Sequence, residues 1–237
     1  MSTREQMLAE VRKALGKSSQ LSDAQVSEFD PAGIMPALAP EDYPAKFAAE
    51  WEKVGGIHHC ATTMQELETI LKEIAATAAA QTMVLSHSPI LAELRIAERL
   101  QAAGIAVTAW DNTSASPNSL PEFQAASFQA NVGVTGVEYV LAETGSLALT
   151  SISEGAMVAS LAPPVHVALY RRSQIVGSLD DLLAKLPISS SPDRKTPGRS
   201  VVLVTGTSRT ADIEQILIRG VHGPGKTHAI LVEDSCL

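Results

Sequence analysis

Two short, unbroken apolar runs near the carboxyl terminus, Val201–Val204 and Ala229–Val232, have the form of strands buried on both faces. Between them Ile213, Ile216 and Leu217 share one helical face, and Gly220 supplies a stop. The stretch predicts a strand–helix–strand unit, with parallel strands joined by a right-handed crossover. Its polar residues fall after the first strand (Thr205 to Thr210) and just past the helix (His222, Gly223, Pro224). In open α/β sheets, ligands bind outside the carboxyl ends of strands, so chemistry is expected there.

Upstream, the same alternation repeats. Met7, Leu8, Val11, Ala14 and Leu15 line one face of a helix opened by a Ser2/Glu5 capping box. Four prolines between Lys17 and Pro44 then exclude regular structure, so residues 1–44 read as a helix and proline-rich arm and 45–237 as the main domain. Phe47, Trp51 and Val54 mark a helix ending at Gly55-Gly56, Ile57–Ala61 a strand, and Leu67, Ile70, Leu71 and Ile74 a helix. Thr82–Ser86 reads as a strand, and Ser88-Pro89 caps a helix carrying Ile90, Leu91, Leu94, Ala97 and Leu100 as far as Gly104. Ile105–Trp110 is a further strand, followed by a polar loop and a weak helix through Phe123 and Phe128. Val137–Ala142, Leu147–Ser151, Met157–Leu161 and Val165–Tyr170 are β-rich and predict a meander inserted among parallel strands. Ser178 with Asp181 caps a last helix through Leu182, Leu183 and Leu186. The expected fold is α/β: a mostly parallel sheet with helices on both faces, a β-rich meander insertion and an N-terminal helical arm.

Composition removes several classes of function. A formal charge of -8, from 18 basic and 26 acidic residues, argues against nucleic acid as a partner. No apolar run approaches the roughly 18 residues of a membrane span, and the charged N-terminus lacks a signal-peptide core. A cytoplasmic location is expected. Cys60 and Cys236 cannot form a disulfide framework, and an iron–sulfur cluster usually takes four thiolates, so this chain is not expected to carry one unaided. No HxH, HExxH or CxxC pattern suggests a metal site.

Three constellations could carry chemistry. Gly206, Thr207, Ser208, Arg209 and Thr210, with Asp212 and Glu214 in the next turn, offer hydroxyls, a guanidinium and free N–H groups at a helix start, an arrangement suited to an anion. Helix capping alone would explain one hydroxyl and the acids. His222, with Gly223, Pro224, Gly225 and Lys226, supplies either an acid/base near neutral pH or a partner for the last helix carbonyls. Glu143, in Glu143-Thr144-Gly145-Ser146, is either a nucleophile or base at a tight turn, or an exposed hairpin tip. His87 and Asp111 end strands and are secondary candidates. His58 and His59 should face opposite sides of a strand, and His166 reads as a core histidine.

In that order, Glu143-Thr144-Gly145, the run from Leu161 to Val176, and Gly206 to Glu214 followed by Gly220 to Pro224 resemble the LUD-domain family, of the lactate-utilisation protein C (LutC/YkgG) type. The resemblance runs from about Ala45 to Asp234, with Ala162-Pro163-Pro164 where the family commonly has Leu-Pro. It implies a NagB/RpiA/CoA-transferase-like fold, that of the phosphosugar-isomerase and CoA-transferase superfamily. It also implies a part in bacterial oxidation of L-lactate to pyruvate alongside two iron–sulfur proteins, with no cofactor in this chain. On that view the chain handles a small anionic metabolite, and the N-terminal arm is a candidate homo-oligomer contact. The alternatives are a stand-alone transferase, isomerase or hydrolase acting on a phosphorylated, CoA-linked or folate substrate, or a non-catalytic metabolite-binding module.

Overall fold

A computed structural model describes residues 3–15, 38–110, 119–186, 200–210 and 218–236. The chain divides into two compact units, Met1–Ala37 and Leu38–Leu237. In the first, α1 (Thr3–Leu15) is helical as its periodicity predicts, with Met7, Leu8 and Val11 exposed.

The second unit is built on a six-stranded parallel sheet in the order β1-β12-β7-β4-β2-β3. Its strands are β1 (Ile57–Ala61), β2 (Thr82–Leu85), β3 (Ala106–Ala109), β4 (Val132–Thr135), β7 (Val165–Tyr170) and β12 (Lys226–Val232). The register puts Met83, Leu85, Val132, Val134, Val167, Leu169 and Ile230 on one face. Apolar positions of α3 (Met64–Thr77), α4 (Pro89–Glu93) and α5 (Ile96–Ala102) close over that face. Val84, Ala168, Tyr170, Ala229 and Leu231 alternate onto the other. There they meet Phe47 and Trp51 of α2 (Tyr43–Lys53) and Phe123 of α6 (Ser119–Gln129). Burial on both faces explains why Met83–Leu85, Val167–Tyr170 and Ala229–Val232 are apolar throughout instead of alternating.

A smaller four-stranded sheet, in the order β8-β5-β6-β9, packs on the α2 side. It consists of β5 (Tyr139–Leu141), β6 (Ser146–Thr150), β8 (Ile175–Val176) and β9 (Val201–Val204), with α7 (Leu179–Lys185) against it. The Glu143–Ser146 turn joins β5 to β6 as an antiparallel pair, as expected of the meander.

The structure departs from the sequence-based expectation at several elements. Val201–Val204 and Ala229–Val232 are not partners in one strand–helix–strand unit. β9 pairs antiparallel with β6 in the small sheet, while β12 lies inside the large one. β9 is an edge strand with Val201 and Leu203 exposed, so its apolar run does not reflect burial on both faces. Arg209–Thr210 (β10) and Ile218–Arg219 (β11) form an antiparallel ribbon, so Thr210 lies in a strand; the expected helix at 211–217, including Asp212 and Glu214, falls outside the described residues. Met157–Ser160 is a 3₁₀ turn lying on β4, and Arg95 (φ 52°) divides the single helix expected over Ile90–Leu100 into α4 and α5.

β4 was not anticipated at all, although it is central. Its four residues contain Gly133, which weakens a strand pattern. The glycine is required because a Cβ there would overlap the Ala159 carbonyl oxygen of the crossing 3₁₀ turn.

Candidate functional site

The three motif segments come together on one rim, although not the rim expected. Pro164 and Lys226 stand at the amino ends of β7 and β12, and Gly225 N–H donates to the Pro164 carbonyl (3.0 Å). Ser208 N–H donates to the Pro224 carbonyl (3.0 Å), and Gly220 N–H to the Ser208 carbonyl (3.0 Å). Gly206 and Thr207 lie against Val54 and Gly55, just before β1. The segment follows the carboxyl end of β9, but in the main sheet it borders the amino ends of three strands.

Hydroxyls link the Glu143 turn to this rim. Thr144 Oγ1 and Ser146 Oγ share a hydrogen bond (2.8 Å), and Ser146 Oγ and Thr205 Oγ1 another (2.7 Å). Gly145 is wedged on the Glu50–Trp51 backbone, where any Cβ would collide, and its φ of 61° suits glycine. Glu143 is half-buried, with its N–H given to the Gly177 carbonyl (3.0 Å).

Arg209 is differently engaged from the sequence expectation. Its guanidinium donates to the Val54 carbonyl at the carboxyl end of α2 and to Thr207 Oγ1 (3.3 Å). A cation against orphan helix carbonyls complements the dipole, so this group closes α2 before it can face any anion. His222 is exposed on the loop between β11 and β12, and Gly223 packs beside Ser208.

The carboxyl rim of the main sheet holds a second polar centre that the sequence reading missed. From β2 the chain passes to β3 at one side, then returns to β4 on the other, so the strand order reverses between β2 and β4. Such a reversal opens a crevice. Glu154 occupies it with no exposed surface. Its Oε2 accepts from Ser86 Oγ (2.5 Å), just past β2, and from Gly136 N–H (2.9 Å), just past β4. Its backbone carbonyl accepts from His87 N–H (3.1 Å). Burial pushes its carboxyl pKa up, and the Ser86, Ser88 and Ser153 hydroxyls and the Gly136 N–H pull it partly back. Oε1 has no hydrogen-bond partner. Nothing in Ser151-Ile152-Ser153-Glu154-Gly155 separates this acid from Glu143, which has equally polar neighbours.

Imidazoles thread the core. His59 Nε2 and His228 Nδ1 share a hydrogen bond (3.0 Å), and His58 bonds the Tyr170 hydroxyl (2.8 Å), so His58 and His59 do face opposite sides. His166 shares a hydrogen bond with Thr135 Oγ1 (2.8 Å), but its Nδ1 and the neighbouring Thr227 Oγ1 are unpartnered. Burial lowers the His166 and His228 pKa values to about 4. Among the described residues no group of three or more His, Cys, Asp or Glu could hold a metal ion, and no helix is long and apolar enough to cross a membrane.

The chain is similar to known proteins along most of its length. "Uncharacterized protein YkgG" of Escherichia coli is 36% identical over 154 residues, 65% of this chain and 64% of that protein. "Lactate utilization protein C" of Geobacillus thermodenitrificans is 29% identical across 98% of this chain and 96% of its own, and its namesake in Halalkalibacterium halodurans is 28% identical over 73% and 72%. A crystal structure of a DUF162 family protein from Deinococcus radiodurans superposes with a TM-score of 0.52 at 20% identity, over 83% of this chain and 99% of that one. With the LUD-domain model matching residues 44–232, this chain belongs to the LUD-domain family.

Proposed function

We propose that this chain works in lactate utilisation, binding a small anionic metabolite while iron–sulfur partner subunits accept the electrons. The overall change is loss of two electrons and two protons from L-lactate to give pyruvate. The likeness to a lactate utilization protein C over 98% of the chain is the observation that carries this reading. The chain's two cysteines support the division of labour, because a cluster usually needs four thiolates. We assign the anion to the motif rim, with the Thr207, Ser208 and Thr210 hydroxyls and His222 as contacts and Gly206, Gly223 and Pro224 shaping the approach. Glu143 stands near it as the candidate acid/base.

Deletion of the gene in its host, followed by growth on L-lactate as the sole carbon source, tests the reading. Growth should fail and return with the gene supplied in trans. Undiminished growth and lactate-oxidation rate in the deletion strain would overturn it.

A further inference from the structure

We propose that the crevice between the carboxyl ends of β2 and β4 is a second small-molecule site, in which His87 contacts a small 2-hydroxy or 2-oxo acid and Glu154 is the positioning residue that holds the His87 segment in place. The choice of ligand rests on the lactate reading; the location does not.

The location follows from topology and burial. Neighbouring strands leaving in opposite directions expose a crevice at their carboxyl ends, and β2 and β4 are that pair. His87 is exposed there, one residue beyond the buried Ser86, and the buried Ser88 follows. A short acid supplies the oxygen acceptor that an imidazole N–H demands, while Ser153, half-buried on the facing loop, shares its hydroxyl with Thr150 Oγ1 (3.1 Å).

The His87 segment is fixed at both levels of structure. Its N–H is held by the Glu154 backbone carbonyl, and the side chain of Ser86 by the Glu154 carboxyl. The same carboxyl reaches Gly136 on β4, so one residue ties both walls of the crevice together. Gly136 is packed so closely on Ser88 that a Cβ would overlap its hydroxyl, so glycine suits this part of the wall. Two donors converge on Oε2, and Oε1 has no partner. A fully buried polar atom without a partner costs stability, and such exceptions call for an explanation. Glu154 as a clamp provides it: the group imposes geometry on the segment beside it.

The test is calorimetric titration of the full chain with L-lactate and with pyruvate, for wild type and three variants. Wild type should bind at least one of the two acids saturably. His87→Gln should weaken that binding tenfold or more while leaving thermal stability unchanged, because His87 is exposed. Glu154→Gln, which keeps a neutral group able to accept from Ser86 and Gly136, should stay within threefold of wild type, and Glu154→Leu should lose tenfold or more. Wild-type affinity in His87→Gln would overturn the site, since all binding would then belong to the rim. Absence of saturable binding of either acid by wild type would overturn the ligand class. Equal losses in Glu154→Gln and Glu154→Leu would overturn the clamp, and His87→Gln decides the site even if Glu154→Leu fails to fold. A deletion strain that still grows on lactate, with this binding intact, would instead reject the lactate reading alone.

Discussion

Replacing Glu154 with Gln should remove part of the pH dependence of stability. In the folded chain the carboxyl is buried among three serine hydroxyls and one N–H, and desolvation outweighs those bonds, raising its pKa above the ordinary 4.5. The folded state therefore holds this proton more tightly than the unfolded state does. Stability from this group is complete below the unfolded pKa and declines as pH rises through the folded one. Each unit of separation between the two pKa values is worth about 1.4 kcal/mol. With urea slopes of about 1–3 kcal/mol per molar, one unit moves the unfolding midpoint by roughly 0.5–1.4 M. Gln has the same shape and never ionises. Its amide NH2 takes the place of Oε1, which finds no partner, and costs about 1–3 kcal/mol, but that cost does not vary with pH. Urea unfolding at pH 5, 6, 7 and 8 should show wild type losing stability relative to Glu154→Gln as pH rises. A constant difference, or wild type gaining on the variant, would refute the assignment of a buried, proton-retaining carboxyl.

Other perturbations follow from the packing. Gly133→Ala forces a methyl into the Ala159 carbonyl and should cost about 1–3 kcal/mol, read as a lower Tm; an unchanged Tm would contradict the close approach. Trp51→Ala removes a side chain with no exposed surface, together with its N–H bond to the Ile57 carbonyl (3.2 Å), and should cost about 3–5 kcal/mol in denaturant unfolding; a loss below about 1 kcal/mol would contradict its place in the core. His166 is neutral and buried with a pKa of about 4, so stability should be full above pH 6.5 and drain away as pH falls towards 4. His166→Gln should flatten that acid limb, and an identical limb in the variant would assign it to other groups. Arg209→Met should destabilise by about 0.5–1.5 kcal/mol through the lost contact with the end of α2, whereas an unchanged midpoint would free the guanidinium for a ligand role.

The main sheet was largely legible because doubly buried strands must be apolar throughout. Met83–Leu85 and Ala229–Val232 carry that signature unbroken, whereas Val165–Tyr170, interrupted by His166 and read as part of the meander, lies inside the main sheet. β4 escaped because Gly133 answers to a carbonyl 26 positions downstream, a demand invisible to any local pattern. β9 misled for the opposite reason: Val201 and Leu203 are as apolar as core residues yet face outwards on an edge. In the site, the motifs announced which segments meet, and the Ser208–Pro224 bond joins them. Periodicity could not say at which end of the sheet they meet, since that depends on β9 belonging to a different sheet from β12. Glu154 stayed hidden because burial of a single acid is decided by strand order, which composition does not encode.

The arrangement of the sheet also governs when it can be finished. Among the described residues β1 has one strand neighbour, β12, and β12 is laid between β1 and β7. A strand made early thus waits, its hydrogen-bonding edges unanswered, until β12, far along the chain, has left the ribosome. Such long-range closure slows folding and exposes the nascent edge to stray pairing. A ribosome stalled before Lys226 would hold a chain in which β1 has no strand to dock on, and loss of β12 would detach β1 from β7 and the rest of the sheet.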